Sequence, residues 1–264
     1  MENFNYQRPS SVADAVKAMN AATDGKFLSG GMTLLPTMKQ GLASPSDVID
    51  LAGLKNSGVA VEGGKVTIKA GTTHAQVAAD ANVQKAIPAL AKLASGIGDP
   101  HVRNRGTIGG SIANNDPAAD YPAAVVGLNA TVQTNARKIA GDQFFTGMFE
   151  TALAADEIVT AVEFPVPKRA GYAKFPNPAS RYAMVGVMVA ELADGSLRVA
   201  VTGAGPKVFR VPEMEAALKK SFSADAISGI SVSPGGLNSD MHASPEYRAH
   251  LVSVMARRAI AAAK

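Results

Sequence analysis

The chain has 264 residues, is 47% hydrophobic and carries a formal charge of +4, with neither cysteine nor tryptophan. That length can bury a substantial core and favours more than one domain. The missing cysteines exclude disulfides, thiolate-held iron–sulfur clusters and thiol nucleophiles, and the scattered lysines and arginines form no basic run that would point to nucleic acid. No apolar stretch reaches membrane-span length and the first residues, MENFNYQRPSS, hold no signal core, so a cytoplasmic location is expected. The histidines at 74, 101, 242 and 250 lack metal-ligand spacing and no GxSxG elbow occurs, so redox chemistry would need an organic cofactor.

Ser10 or Ser11 predicts the cap of a first helix with Val12, Ala15, Val16 and Met19 on one face. Residues 26–41, KFLSGGMTLLPTMKQG, then read as a short apolar strand at Phe27-Leu28, a break at Gly30-Gly31 and a short helix from Thr33 to Gly41. Strand, glycine turn and helix start aim free N–H groups at an anion, although neither GxGxxG nor GK[ST] is present. A strand at 47–51 precedes a hairpin over 59–69 that turns at Gly63-Gly64. Thr72 and Thr73 are expected to cap a helix over 75–80, and a helix from Val83 to about Ser95 is expected to be broken or bent at Pro88.

Residues 101–122, HVRNRGTIGGSIANNDPAADYP, read as a long polar connector between buried segments. Gly106, Gly109 and Gly110 permit close backbone approach, Thr107, Ser111 and Asn114 add hydrogen-bonding groups, and Arg103 and Arg105 add positive charge. Asp120 reads as the N-cap of the next helix, with Pro122 in its first turn. One such cradle is weak; two in one chain point to a ligand with more than one phosphate, such as a dinucleotide. Strands at 130–134 and 157–164 follow, then a linker at 165–171. The remainder predicts strands at 185–192 and 197–202 joined at Asp194-Gly195, helices at 213–220 and 224–230, and a last helix capped by Ser244. That last helix has Tyr247, Leu251, Val254 and Met255 on one face, and the whole region reads as α+β, separate from the first half.

Three motifs carry a family resemblance: Ser29–Lys39, SGGMTLLPTMK; Thr107–Ser111, TIGGS; and Asp116–Asp120, DPAAD. Together they resemble the FAD-binding medium subunit of molybdenum hydroxylases of the aerobic carbon monoxide dehydrogenase and xanthine dehydrogenase type. The likeness runs from Tyr6-Gln-Arg-Pro9 to the helix at Tyr247-Arg248; Met32-Thr33 stands where Thr-Asp is commoner, and Ser111 where Asn is. The resemblance implies an α+β fold, with a two-subdomain FAD-binding module of the PCMH type at 1–57 and 58–168 and a C-terminal antiparallel sheet packed with helices at 169–264. It implies FAD as cofactor and Leu28, Ser29, Gly30, Gly31, Met32, Thr33 and Leu34, with Thr107, Ile108, Gly109, Gly110 and Ser111, around the pyrophosphate. Asn114, Asp116 and Asp120 belong to the second motif's surroundings; Thr72 falls near the flavin, and Ile97, Gly98, Ile158 and Val159 line the ring or adenine pocket. Lys174 is placed near the ring's N1 and Tyr182 over its face.

The resemblance further implies a molybdopterin-binding large subunit that oxidises substrate and a small subunit whose [2Fe-2S] clusters feed electrons to this chain, in a dimer of heterotrimers. A stand-alone FAD-dependent reductase or oxidase on the same scaffold and a flavin-free assembly paralogue are the alternatives. Replacing Gly30 or Gly109 by Val is expected to release FAD and leave the fold largely intact.

Overall fold

In the computed structural model, which describes residues 1–264, β1 (Asn5–Gln7), β2 (Gly25–Leu28) and β3 (Asp47–Asp50) form a parallel sheet in the order β1-β3-β2. Parallel strands need crossovers, and α1 (Val12–Ala21) and α2 (Leu34–Lys39) flank β2 to supply them. Ser11 caps α1 as its sequence position demands, its hydroxyl accepting from the Asp14 N–H at 3.1 Å. The strand β1 was not legible beforehand: Asn-Tyr-Gln is fully exposed and is held only by pairing with β3.

The second unit opens with the hairpin of β4 (Val59–Glu62) and β5 (Lys65–Lys69), whose Gly63 and Gly64 have φ of 57° and 74°, as a tight two-residue turn requires. Six helices follow: α3 (His74–Ala79), α4 (Ala81–Ala86), α5 (Pro88–Ser95), α6 (Pro100–Arg105), α7 (Ile108–Asn114) and α8 (Tyr121–Gly127). Then come β6 (Thr131–Thr134), β7 (Lys138–Ala140), the single turn α9 (Gly141–Phe144), a hairpin of β8 (Phe145–Gly147) and β9 (Glu150–Thr151), and β10 (Val159–Pro165). The large sheet runs β4-β5-β10-β6-β7, antiparallel throughout.

Of a break or a bend at Pro88 the structure has the break: Pro88 starts a second helix, with Ile87 as the non-helical joint. Residues 101–122 are not a connector but mostly helix. Asp99 opens α6 by accepting from the Val102 N–H at 2.9 Å, with Pro100 as first residue, and Thr107 opens α7 by accepting from the Gly110 N–H at 3.1 Å. The Gly-Gly pair lowers local helix propensity, and Ile108 and Ile112, both fully buried, override it.

The last unit is the antiparallel sheet β11 (Arg169–Pro176), β12 (Ala183–Glu191), β13 (Leu197–Thr202) and β14 (Phe209–Arg210), with α10 (Pro212–Lys220) and α11 (Pro245–Ala261). One face presents Val185, Val187, Val189, Val199 and Val201 to Leu251, Val252 and Met255 of α11. The other face carries Tyr172, Met188, Ala190 and Ala200 into the main core, among the side chains of α5 and α8. The sheet is therefore not separate from the first half, and β12 is almost continuously apolar because both its faces are covered. Residues 166–168, all that remain between β10 and β11, do not form a slack linker: Val166 packs on the main core. On α11 the inward residue is Arg248 rather than Tyr247; its guanidinium donates to the Met184 and Gly203 carbonyls and to Asp240, while Tyr247 is 42% exposed. No helix is long and apolar enough to cross a membrane.

Candidate cofactor site

The C-terminal end of β2 and the N-terminal end of α7 face each other across a cleft of about 710 Å³. From the first glycine loop it is lined by Leu28, Ser29, Gly30, Gly31, Met32, Thr33 and Leu34, and from the second by Thr107, Gly109, Gly110, Ser111, Asn114, Asp116 and Asp120. Ile97, Ile158, Val159 and Tyr182 complete the expected set within the walls.

Four expected residues lie elsewhere. Ile108 is fully buried beneath α7. Thr72 is buried and caps nothing; its hydroxyl donates to the Gly58 carbonyl and accepts from the Gly58 N–H, tying β4 to the end of β5. Gly98 has φ of 49° and turns the chain between α5 and α6, its carbonyl accepting from Arg103 at 2.9 Å. Lys174 lies under the cleft floor, with its ammonium bonded to the Gly96 carbonyl (2.8 Å), the Arg181 carbonyl (2.9 Å) and Asp120. Lysine has three donor hydrogens, so none is left for a flavin nitrogen.

The two loops are built differently. In the first, Gly31 has φ of 76°, a conformation that side chains rarely adopt, and the N–H groups of Gly30, Gly31, Met32 and Thr33 donate to no protein acceptor. Open N–H groups on consecutive residues form a concave donor surface suited to an anion. In the second, the Ile108 and Gly109 N–H groups donate to the Thr72 and Ala70 carbonyls, and Gly110 and Ser111 donate within α7. This loop offers the cleft hydroxyls and a single open backbone donor, the Thr107 N–H; Thr107 Oγ1 lies 2.8 Å from Ser29 Oγ, joining the two loops.

The glycines follow the same division. A Cβ on Gly109 would lie 2.6 Å from the Ala70 Cβ, and one on Gly30 would collide with the Arg105 carbonyl oxygen. At these two glycines the side-chain position points into the protein rather than toward a ligand, so a side chain there would first disturb internal packing. Gly110 differs: its Cβ would point between the loops, 3.0 Å from Thr107 Oγ1 and 3.6 Å from the Ser29 Cβ.

Asp120 does not cap α8. Its φ and ψ are helical and its carboxylate, 2% exposed, accepts instead from the Tyr172 hydroxyl at 2.6 Å and from Lys174. Burial pushes the Asp120 carboxyl up, against the opposing pull of Lys174 and Tyr172. On the opposite wall Glu157 is held down at about 2 by the Arg137 guanidinium first, then by the Thr134 hydroxyl and the Ala154 N–H.

His74, marked in the sequence only by its lack of metal-ligand spacing, lines the cleft at 4% exposure. Its N–H donates to the Gly106 carbonyl, its ring packs 5.4 Å from Tyr121, and burial lowers its pKa to about 4, with Arg103 adding to the effect. Gly106 lacks a side chain because a Cβ there would lie 2.6 Å from His74 Nε2. Asn56 and Lys55 were also missed. They come from the turn before β4, and no motif marks them.

These residues fit a dinucleotide. Consecutive open N–H groups and a hydroxyl pair sit at the meeting point of two loops, in a cleft whose ends are apolar at Ile97 and at Ile158-Val159. The architecture defines a dinucleotide-binding module with an α+β domain docked against it. Comparison with known proteins is specific. Residues 2–167 match the FAD binding domain in molybdopterin dehydrogenase, and residues 170–263 match the CO dehydrogenase flavoprotein C-terminal domain. The chain is 36% identical to the nicotine 6-hydroxylase medium subunit of Paenarthrobacter nicotinovorans, covering 97% of this chain and 96% of that one. It is 33% identical to the carbon monoxide dehydrogenase medium chain of Afipia carboxidovorans, covering 99% and 97%. A solved carbon monoxide dehydrogenase from Hydrogenophaga pseudoflava superposes with a TM-score of 0.88 at 32% identity, covering 99% of this chain and 97% of that one. The chain therefore belongs to the family of FAD-binding medium subunits of molybdenum hydroxylases, and FAD is its cofactor.

Proposed function

We propose that this chain is the electron-transfer subunit of a molybdenum hydroxylase. It receives electrons from [2Fe-2S] clusters of a small partner and releases them to an external acceptor, while substrate is oxidised at a molybdopterin centre in a large partner. The observation that carries this is the pairing of an open N–H loop with a hydroxyl-bearing loop across one cleft, in a chain without cysteine ligands of its own. A dimer of heterotrimers in the cytoplasm is the assembly proposed.

Bound FAD supplies the redox chemistry; the protein supplies position and electrostatics. Gly30 to Thr33 bind the pyrophosphate through their N–H groups, and Ser29 and Thr107 add hydroxyls on its other side. Ile97 and Ile158-Val159 hold the flat ring systems by apolar contact and exclude water from them. Tyr182, 47% exposed, borders the cleft where the ring would meet solvent.

The test is to purify the chain, reconstitute it with FAD and record its spectrum, then offer reductants. Stoichiometric flavin uptake, electron transfer to dyes after chemical reduction, and no oxidation of organic substrates by the chain alone are expected. Steady turnover of an organic substrate by the rigorously purified chain would overturn the subunit assignment. A chain that takes up no flavin would overturn the FAD-based electron-transfer role.

A further inference from the structure

Lys174 lies on β11 and its side chain is 9% exposed. Its partners come from three different places. Gly96 ends α5, and Asp120 precedes α8 with its carboxylate oxygens 2.9 and 3.1 Å from the ammonium. Arg181 belongs to the loop over residues 177–182 that joins β11 to β12 and carries Tyr182. Two residues earlier on the same strand, Tyr172 grips the same carboxylate. The C-terminal sheet is thus fastened to the cofactor domain directly under the cleft, and one arm of that fastening reaches the Tyr182 loop.

The loop is held in an unfavourable shape. Arg181 has φ of 62° without being glycine, a conformation that persists only where its surroundings enforce it. Asn177 enforces part of it: its side-chain oxygen accepts from the Ala179 and Ser180 N–H groups, and its carbonyl accepts from the Arg181 N–H. Within the loop the Asn177 N–H also donates to the Tyr182 carbonyl and the Tyr182 N–H to the Ser180 hydroxyl; the ties to the floor of the cleft are the Arg181 carbonyl on Lys174 (2.9 Å) and a longer one from the Arg181 guanidinium to the Gly98 carbonyl (3.4 Å). Tyr182, the next residue, lines the cofactor cleft and also a second cavity of about 410 Å³ walled by Met148, Phe149 and His242. Phe149, in the wall of this cavity, has φ of 56°.

We propose that Lys174 is a positioning residue that clamps the Arg181 carbonyl to the floor of the cleft and so holds Tyr182 as the wall between the cofactor cleft and the second cavity. A small oxidant entering by the second cavity then meets the ring of Tyr182 before the cofactor. The role of the wall rests on the FAD reading above; the clamp does not. It also differs from a charge placed against the flavin, because the ammonium has no donor free for one.

The clamp is tested in the full chain without FAD, by hydrogen exchange at the Arg181, Tyr182 and Ala183 amides. Lys174→Met should speed exchange there at least about tenfold while Val187 and Val189, central in β12, stay as in the parent. Because Lys174→Met leaves Asp120 with one partner, the double variant Lys174→Met/Asp120→Asn removes the unpaired buried carboxylate and should show the same faster loop. With FAD bound, iodide should quench flavin fluorescence at least about twofold more effectively in both variants. Loop exchange within about twofold of the parent in both variants overturns the clamp. Faster exchange with unaltered quenching overturns the wall. Absence of flavin uptake by the unmodified chain is a different failure, that of the cofactor reading, and leaves the exchange result readable.

Discussion

The two glycine loops look alike as text and act differently as structure. Ser29-Gly-Gly-Met-Thr33 keeps its N–H groups open, whereas in Thr107-Ile-Gly-Gly-Ser111 only the Thr107 N–H stays open and the other four are bonded to residues 70 and 72 or within α7. A glycine pair marks close approach by something, but not whether that something is a ligand or the protein's own backbone. Here the first loop has the open N–H groups that suit an anion, and the second is propped on residues 70 and 72 and joined to the first through one hydroxyl pair.

The sharpest way to break this contrast is to fill the contacts inside the protein. Gly109→Val and Gly30→Val should each cost about 3 kcal/mol, since the new side chain meets Ala70 or the Arg105 carbonyl in a packed interior. Urea midpoints of the FAD-free chain measure it, and a parental midpoint in either variant would show that the glycine faces a ligand after all.

His74 meets the second loop through its backbone N–H on the Gly106 carbonyl, and its buried ring, packed on Tyr121, gives the fold a pH signature. The unfolded chain protonates this histidine near 6.5, whereas the folded chain holds it neutral down to about 4. Its contribution is therefore intact above the unfolded value and falls as pH drops through that window, by about 2 kcal/mol at pH 5. His74→Gln should flatten the difference between midpoints at pH 7 and pH 5; an unchanged slope would remove histidine from the account.

Gly110→Ala sharpens the contrast from the ligand side. Its methyl group points between the loops, so FAD affinity should fall about tenfold, roughly 1.4 kcal/mol, while the midpoint of the FAD-free chain stays level or rises slightly. Equilibrium flavin titration measures the first, and normal affinity would exclude the space between the loops from the binding site. The smallest effect is expected for the Ser29–Thr107 hydroxyl pair. A double-mutant cycle of Ser29→Ala and Thr107→Ala should return a coupling of about 0.5–1 kcal/mol in stability. Strict additivity would mean the loops are joined by packing alone.

Much of this was legible beforehand where one physical signal dominates. The Gly63-Gly64 turn, the Ser11 and Ser244 caps and the Asp194-Gly195 hairpin each rest on local chemistry, and each stands where its residues placed it. Legibility failed where tertiary contacts overrule local preference. The TIGGS segment is helical because Ile108 within it and Ile112 just after it are buried, and Asp120, well placed to cap a helix, turns its carboxylate to Tyr172 and Lys174 across a domain boundary. In the site, the open glycine turn of the first loop followed from its own sequence. The role of Lys174 did not, since all three of its partners are distant in the chain or in an adjoining loop. His74 carried no motif beyond the capping box of Thr73 and Gln76 beside it.

The sheet of β11 to β14 belongs to one family match while half its apolar surface belongs to the other's core. Arg198 adds a further tie, its guanidinium held by Asp142 and the Val126 carbonyl. Two segments that sequence comparison separates at residues 167–170 are thus one melting unit. A calorimetric scan should show a single endotherm, with the calorimetric and van't Hoff enthalpies in agreement. Grafting the C-terminal segment of a relative onto this chain would then succeed only where Tyr172, Met188, Ala190 and Ala200 keep their volumes. The boundary is one of ancestry, and the heat capacity trace should pass over it without a step.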